Sequence, residues 1–311
     1  MLILDLLENY SEQLISKGYS EEMKYKVKAD KNYFLKISPL SFFKKKELEL
    51  KYISVLEKVV KIPKLIEVRY ESNSIYSLYE WIDGFDFREY VTYLTDKELY
   101  QYGIQAGAFL QRIHSISIEE ESINWYEFYL QKSMRKIESF RKVNINFPEI
   151  ETFIDYIQTH QYLLQDRPIS LCHGDFHVGN MMIDSQTKEL VIIDFGSIEI
   201  GDTMEEFNRM IWTAQLSDEF ATGLINGYFN GKNIPDEFWK LMAYYMACDV
   251  VGSIPWAVNY GNDQLITMLE RAKIVLDWFD NFERVIPKFY KKSKSKKDGN
   301  LLWIFNNTNK C

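Results

Sequence analysis

The chain has 311 residues with a net charge of −8, 46% hydrophobic and 26% charged side chains, the balance of an ordinary globular protein with room for one large domain or two. Residues 288–311 hold seven lysines against one aspartate, which leaves −14 on residues 1–287, a body that disfavours nucleic acid and suits a cationic small molecule. Cys172, Cys248 and Cys311 are too scattered for a disulfide framework, and neither a leader nor a membrane-spanning run is visible, so a cytoplasmic location is expected.

In chain order, residues 2–17 read as an amphipathic helix stopped by Gly18. Residues 23–29 and 33–37 alternate polar and apolar side chains around the turn Asp30-Lys31-Asn32, which predicts a β-hairpin with Lys36 in its second strand. Residues 42–60 carry helical spacing, and 77–82 form a β-rich run ending in Asp83-Gly84. Beyond Gly84 the pattern turns helical. Thr95-Asp96-Lys97-Glu98 is a capping-box signature opening a helix through Ile113, and further helices fit 126–141, 149–163, 204–215, 235–251 and 263–282. Trp212, Trp239, Tyr244 and Tyr245 are core candidates before they are substrate platforms. The tail combines a lysine-rich run at 291–297 with the apolar stretch 301–305, the composition of a solvated tail with a docking end.

The richest stretch is 173–196: His-Gly-Asp-Phe-His-Val-Gly-Asn at 173–180, then Ile193-Asp194-Phe195-Gly196. Two apolar runs, 181–183 and 190–193, flank a polar turn at 184–188, so an antiparallel hairpin should place Asn180 beside Asp194. One amide oxygen and one carboxylate suit Mg²⁺, which takes few protein oxygens and shares its octahedron with phosphates and water. Asp175, in the loop before the hairpin, would stay ionised next to a cation and could take a hydroxyl proton. Protein kinases write this arrangement as H-R-D-L-x-x-x-N followed by D-F-G, with Arg where this chain has Gly174. His173 is expected to brace the loop. His177 could reach the site, but four histidines without an acidic cluster at zinc spacing argue against a metalloenzyme.

On those residues, the H-G-D-x-H-x-G-N string and the I-D-F that follows, the chain resembles the aminoglycoside phosphotransferase and choline kinase-like family, with weaker agreement over roughly residues 18–280. Where the family often has G-D-P, this chain has Gly201-Asp202-Thr203 and then Glu205-Glu206. The resemblance implies an α+β, bilobal protein-kinase-like fold: a small antiparallel-sheet N-lobe (1–82), a larger, mainly helical C-lobe (83–287) and a basic tail (288–311). It implies Asp175 as catalytic base and Asn180 and Asp194 as Mg²⁺ ligands. It also implies Lys36 on the phosphates of ATP or GTP, with Glu49 (in preference to Glu47) as the lysine's helix partner. Gly18-Tyr19-Ser20 looks like the start of a degenerate nucleotide loop that includes Ser20, and backbone groups from Glu80 to Ile82 would hold the purine edge at the hinge.

The implied reaction is transfer of the γ-phosphoryl group to a hydroxyl of a small molecule. An aminoglycoside-type antibiotic is the first expectation, and a metabolite alcohol such as choline, homoserine or a sugar the alternative. Asp218, Glu219, Asp249 and Asp263 are acidic candidates for a cationic acceptor, each also readable as a surface charge. A catalytically silent nucleotide-binding protein is a rival, against which the intact trio of Asp175, Asn180 and Asp194 speaks. A protein kinase is disfavoured, because Gly201-Asp202 arrives only seven residues after Asp194.

Overall fold

Alternating sequence in the first eighty residues builds a sheet. The computed structural model describes residues 11–15, 21–119 and 123–291. Among them β1 (Ser11–Leu14), β2 (Met23–Lys28), β3 (Asn32–Pro39), β4 (Leu65–Glu71) and β5 (Ser74–Glu80) form a five-stranded antiparallel sheet in the order β1-β2-β3-β5-β4. The hairpin expected around Asp30–Asn32 is β2–β3, with Lys24 opposite Lys36 in register. Val27, Tyr33, Leu35 and Leu78 bury a small core on one face. The helix expected over 2–17 is corrected at 11–14: these residues are a strand, with Ser11 opposite Lys28 and Leu14 opposite Tyr25. Leu14 is exposed, so the apolar spacing that suggested a helix buries nothing there, and backbone pairing with β2 decides the conformation. Residues 1–10 and 16–20 lie outside the described residues, and with them Gly18 and Ser20.

Helix α1 (Phe43–Val59) lies between β3 and β4 in the chain and buries Lys46, Glu49, Tyr52 and Leu56. After β5 the chain passes through residues 81–83 into β6 (Gly84–Asp86), α2 (Phe87–Tyr90), α3 (Asp96–His114), α4 (Trp125–Lys142) and α5 (Ile150–Thr159). Then come β7 (Ile169–Cys172), β8 (Met181–Asp184), β9 (Leu190–Ile192), β10 (Glu199–Asp202), α6 (Met210–Leu216), α7 (Asp218–Tyr228), α8 (Asp236–Val258) and α9 (Asn262–Trp278). β6 pairs with β8, so the segment leaving the five-stranded sheet docks directly on the β8–β9 hairpin, while β7 pairs with β10. The expected α+β organisation, a small antiparallel sheet followed by a larger and mainly helical part, is present.

The capping box at the start of α3 is complete: Thr95 N donates to Glu98 Oε2 at 2.8 Å, and Glu98 N donates to Thr95 Oγ1 at 3.3 Å. Two expected helices break. The one over 149–163 ends at Thr159 before a 3-10 turn (Gln161–Leu164), and the one over 204–215 begins as a 3-10 run (Thr203–Arg209) ahead of α6. Helix α7 was not expected, since Gly223 and Gly227 weaken its helical pattern. Its backbone lies against α3, where a β-carbon at Gly107 would overlap the Leu224 carbonyl, so the glycines make the crossing possible. Helix α8, contrary to expectation, is long and apolar enough to cross a membrane. Its aromatic and aliphatic side chains, including Trp239, Tyr244 and Tyr245, are instead buried in the large core.

Candidate active site

Strand β7 ends at Cys172 and delivers the loop 173–180 to the mouth of the β8–β9 hairpin. Gly174 sits at φ +80°, and a β-carbon there would overlap the Ser197 carbonyl, so the sharp turn requires glycine on two counts. Glu206 accepts hydrogen bonds from the His173 and Gly174 backbone N–H groups at 2.8 and 2.7 Å. His173 is fully buried; its Nδ1 accepts from Asp175 N at 3.3 Å and its Nε2 donates to the Ile193 carbonyl at 3.1 Å. It ties the loop to the far end of the hairpin.

Met181 pairs with Ile192 and Ile183 with Leu190, and Ile193 N donates to the Asn180 carbonyl at 3.0 Å. Asn180 and Asp194 therefore flank the open end of one ribbon, as the spacing required. Asn180 Nδ2 donates to both the carbonyl and the carboxylate Oδ2 of Asp175, at 2.8 and 2.9 Å. Its amide oxygen is thus the atom left to ligate. Asp194 adopts a left-handed backbone, φ 64° and ψ 60°, and its carboxylate is held by Lys24 Nζ at 3.1 Å and Lys36 Nζ at 2.9 Å. Burial opposes ionisation of Asp194, but the charges of Lys36 and Lys24 hold the carboxyl well below the usual carboxylate range. One carboxylate and one amide oxygen form a hard donor set that fits Mg²⁺. Among the described residues no group of three His, Cys, Asp or Glu side chains could hold a metal instead.

Asp175 is one-third exposed and faces two cationic or potentially cationic groups, Arg209 Nε at 3.2 Å and His177 Nε2 at 3.4 Å. His177 Nδ1 accepts from Gly179 N at 3.0 Å, which leaves Nε2 as the protonated nitrogen facing the carboxylate. Against the upward push of burial, the His177 hydrogen bond and the charges of His177 and Arg209 depress the Asp175 pKa far below the ordinary value. Arg209 also reaches Asp249 at 3.1 Å, and Arg271 stacks on Trp212, whose ring lies 5.9 Å from that of His177.

Lys36 is buried and bridges Asp194 and Glu22, the latter at 2.8 Å. Burial lowers its pKa, but the two carboxylates more than offset that and raise it. The expected Lys36–Glu49 pair is not formed. Glu49 binds Lys46 at 2.5 Å and the Tyr79 hydroxyl at 2.6 Å, while Glu47 is exposed. Lys46 stands three residues before Glu49 on the same helix face, and this local partner wins over the sheet lysine. Glu80 ends β5, its N–H donates to the Lys64 carbonyl at 2.9 Å, and its carboxylate meets Lys31 at 3.4 Å. At the hinge, Ile82 lies in the irregular segment between β5 and β6, next to Trp81, whose ring carries the Lys26 ammonium at 4.4 Å. Of the acidic candidates for an acceptor, Asp249 alone is tied to the loop bearing Asp175, through Arg209. Asp218 and Glu219 pair with Lys291, and Asp263 is exposed at the start of α9.

Sequence reasoning missed Arg209, Glu22 and Lys24. No local signal marks Glu22. For Arg209 the hint was position, one turn after the acidic pair Glu205-Glu206, and for Lys24 it was its register opposite Lys36.

A family model described as the phosphotransferase enzyme family matches residues 11–238. No curated protein matches the chain in sequence. Solved structures share its fold. The aminoglycoside phosphotransferase APH(2'')-IIa in complex with gentamicin is 20% identical with a TM-score of 0.62, covering 87% of this chain and 94% of its own. ADP-bound APH(2'')-Ib is 19% identical at 0.60, covering 88% and 95%. A choline/ethanolamine kinase family protein from Mesorhizobium loti is 13% identical at 0.65, covering 89% and 92%.

Proposed function

Because the chain belongs to the phosphotransferase enzyme family, we propose that it moves the γ-phosphoryl group of ATP or GTP to a hydroxyl of a small molecule. The acceptor oxygen forms a bond to the γ-phosphorus as the bond from phosphorus to the β–γ bridging oxygen breaks, and ADP or GDP leaves. The hydroxyl proton passes to Asp175. Lys36 holds the phosphates, Asn180 and Asp194 would hold Mg²⁺, and that ion offsets phosphate charge when bound. Backbone groups from Glu80 to Ile82 hold the purine edge, with residues 1–82 as the nucleotide lobe and 83–287 as the catalytic and acceptor lobe. Since the Glu80 N–H already serves the Lys64 carbonyl, the donor to the purine falls to Trp81 or Ile82.

The observation that carries this reading is the convergence of Asp175, Asn180 and Asp194. Asn180 is hydrogen-bonded to Asp175 and flanks the same ribbon end as Asp194, which Lys36 meets from the opposing sheet. Asp175 stays ionised across the physiological range and can therefore orient a hydroxyl and accept its proton late in the transfer.

The acceptor we favour is a cationic polyol of the aminoglycoside type. In its favour, residues 1–287 carry −14, a charge that attracts cations. A cationic amino alcohol satisfies the same charge argument and is the second reading. Purified protein with MgCl₂ and ATP or GTP, challenged with aminoglycosides, amino alcohols and neutral sugars, should release ADP or GDP chiefly with amine-bearing acceptors. Release with neutral sugars alone would overturn the cationic acceptor, and no release or hydrolysis with any acceptor would overturn the enzyme reading.

A further inference from the structure

Lys24 and Lys36 stand directly opposite each other on β2 and β3, and both ammonium groups turn to the same carboxylate, Asp194. Like charges directly across an antiparallel pair destabilise a sheet. Here both side chains are mostly withdrawn from water, 15% and 4% exposed, which sharpens the repulsion. The two lysines are not equivalent. Lys36 has a second carboxylate of its own in Glu22, which is itself fixed by the Ser38 hydroxyl at 2.5 Å. Among the described residues Lys24 has Asp194 as its one ion-pair partner.

Asp194 is also the carboxylate proposed to hold Mg²⁺, and a carboxylate shared with a divalent cation has less to give two ammoniums. Lys36 would keep Glu22, whereas Lys24 needs another anion nearby. A nucleotide's phosphate chain supplies several oxygens, and lysine recognises phosphate as a point charge without a fixed angular demand. Building on the nucleotide reading above, we propose that Lys24 is a second phosphate-binding lysine, contacting the phosphate chain from β2 while Lys36 does so from β3. The cross-strand charge pair is then a pincer for a polyanion. Gly196 is close by, where a β-carbon would come within 2.6 Å of Lys36 Nζ.

The test is calorimetric titration of wild-type protein, Lys24→Met and Lys24→Arg with ATP, GTP, ADP and the parent nucleosides in MgCl₂. Charge-assisted hydrogen bonds of this kind predict that Lys24→Met weakens triphosphate binding about 10- to 100-fold. Nucleoside binding should stay within about twofold, and Lys24→Arg should recover most of the loss. Triphosphate binding within about twofold of wild type in Lys24→Met, or equal losses for nucleoside and triphosphate, would overturn the proposal and leave Lys24 an ion pair that holds Asp194. A wild-type protein that binds neither nucleotide would instead overturn the nucleotide reading on which this one rests. A second measurement needs no variant. Acylation of wild-type lysines mapped by mass spectrometry should show Lys24 protected by ATP or GTP with MgCl₂ but not by the nucleoside, and equal labelling would count against the proposal.

Discussion

Glu206 binds two consecutive backbone N–H groups, His173 and Gly174, with the two oxygens of one carboxylate. It does so from the 3-10 run Thr203–Arg209, so the shape of the loop bearing Asp175 depends on a side chain thirty-one residues downstream of that aspartate. Glu206→Gln keeps one acceptor and turns an amide donor toward the other N–H. Leaving that N–H unsatisfied should cost about 1–3 kcal/mol in urea unfolding. On the proposed function, turnover should fall while nucleotide affinity changes little. A stability change within about 0.5 kcal/mol would show that the loop holds itself.

Asp175→Asn preserves volume and can still meet Asn180, but it cannot take a proton. Turnover should drop about 10²- to 10⁴-fold with nucleotide affinity nearly unchanged. Steady-state NDP release set beside a binding titration separates the two quantities. Near-normal turnover would remove Asp175 from the role of base.

Short-range features were legible in the sequence, and contacts between distant segments were not. The Thr95 capping box, the β2–β3 hairpin and the ribbon joining Asn180 to Asp194 follow from residue order, because their partners are at most fourteen positions apart. One short-range contact is the exception: the resemblance implies Lys36, thirteen positions away, as the partner of Glu49, whereas Lys46 takes that carboxylate from three positions away on the same helix. Strand β1 could not be told from a helix, because what selects it is the edge of β2. Helix α7 was hidden by Gly223 and Gly227, whose helical weakness is offset by close approach to α3, an energy visible only once both helices are placed. Arg209 lies thirty-four residues from Asp175 and forty from Asp249, and no local pattern announces that it joins them.

Asp184 closes the hairpin turn. Its Oδ1 accepts from Thr187 N at 2.8 Å and Gln186 N at 2.9 Å, and its Oδ2 meets Lys61 at 3.1 Å. The Thr187 backbone bond, helped by Lys61 and Gln186 and opposed by partial burial, lowers its pKa to about 2. The unfolded chain, with an aspartate pKa of about 3.9, takes up this proton first as pH falls. The stabilisation is therefore complete above about pH 5 and declines toward pH 2. Comparing wild type with Asp184→Asn by urea unfolding between pH 7 and pH 3 should show a stability gap that narrows on acidification. A constant gap would mean that the amide reproduces everything the carboxylate does.

The buried trio of Lys46, Glu49 and Tyr79 sets a sharper test, because its parts are costly apart. Lys46 donates to Glu49 at 2.5 Å and to the Tyr79 hydroxyl at 2.9 Å, and that hydroxyl donates to Glu49 at 2.6 Å. Burial is the largest influence on Lys46 and lowers its pKa despite the carboxylate beside it, so its charge depends on that carboxylate. Glu49→Leu leaves an ammonium buried without compensation and should cost about 3–5 kcal/mol. Adding Lys46→Met removes the stranded charge and should recover more than half of the loss, with only the Tyr79 hydroxyl left wanting a partner, at about 1–3 kcal/mol. Had Glu49 been the partner of Lys36, the second substitution would recover nothing, and triphosphate affinity would fall with Glu49→Leu and stay low in the double variant. Urea unfolding of the two single variants and the double, with a triphosphate titration of each, decides which lysine Glu49 serves.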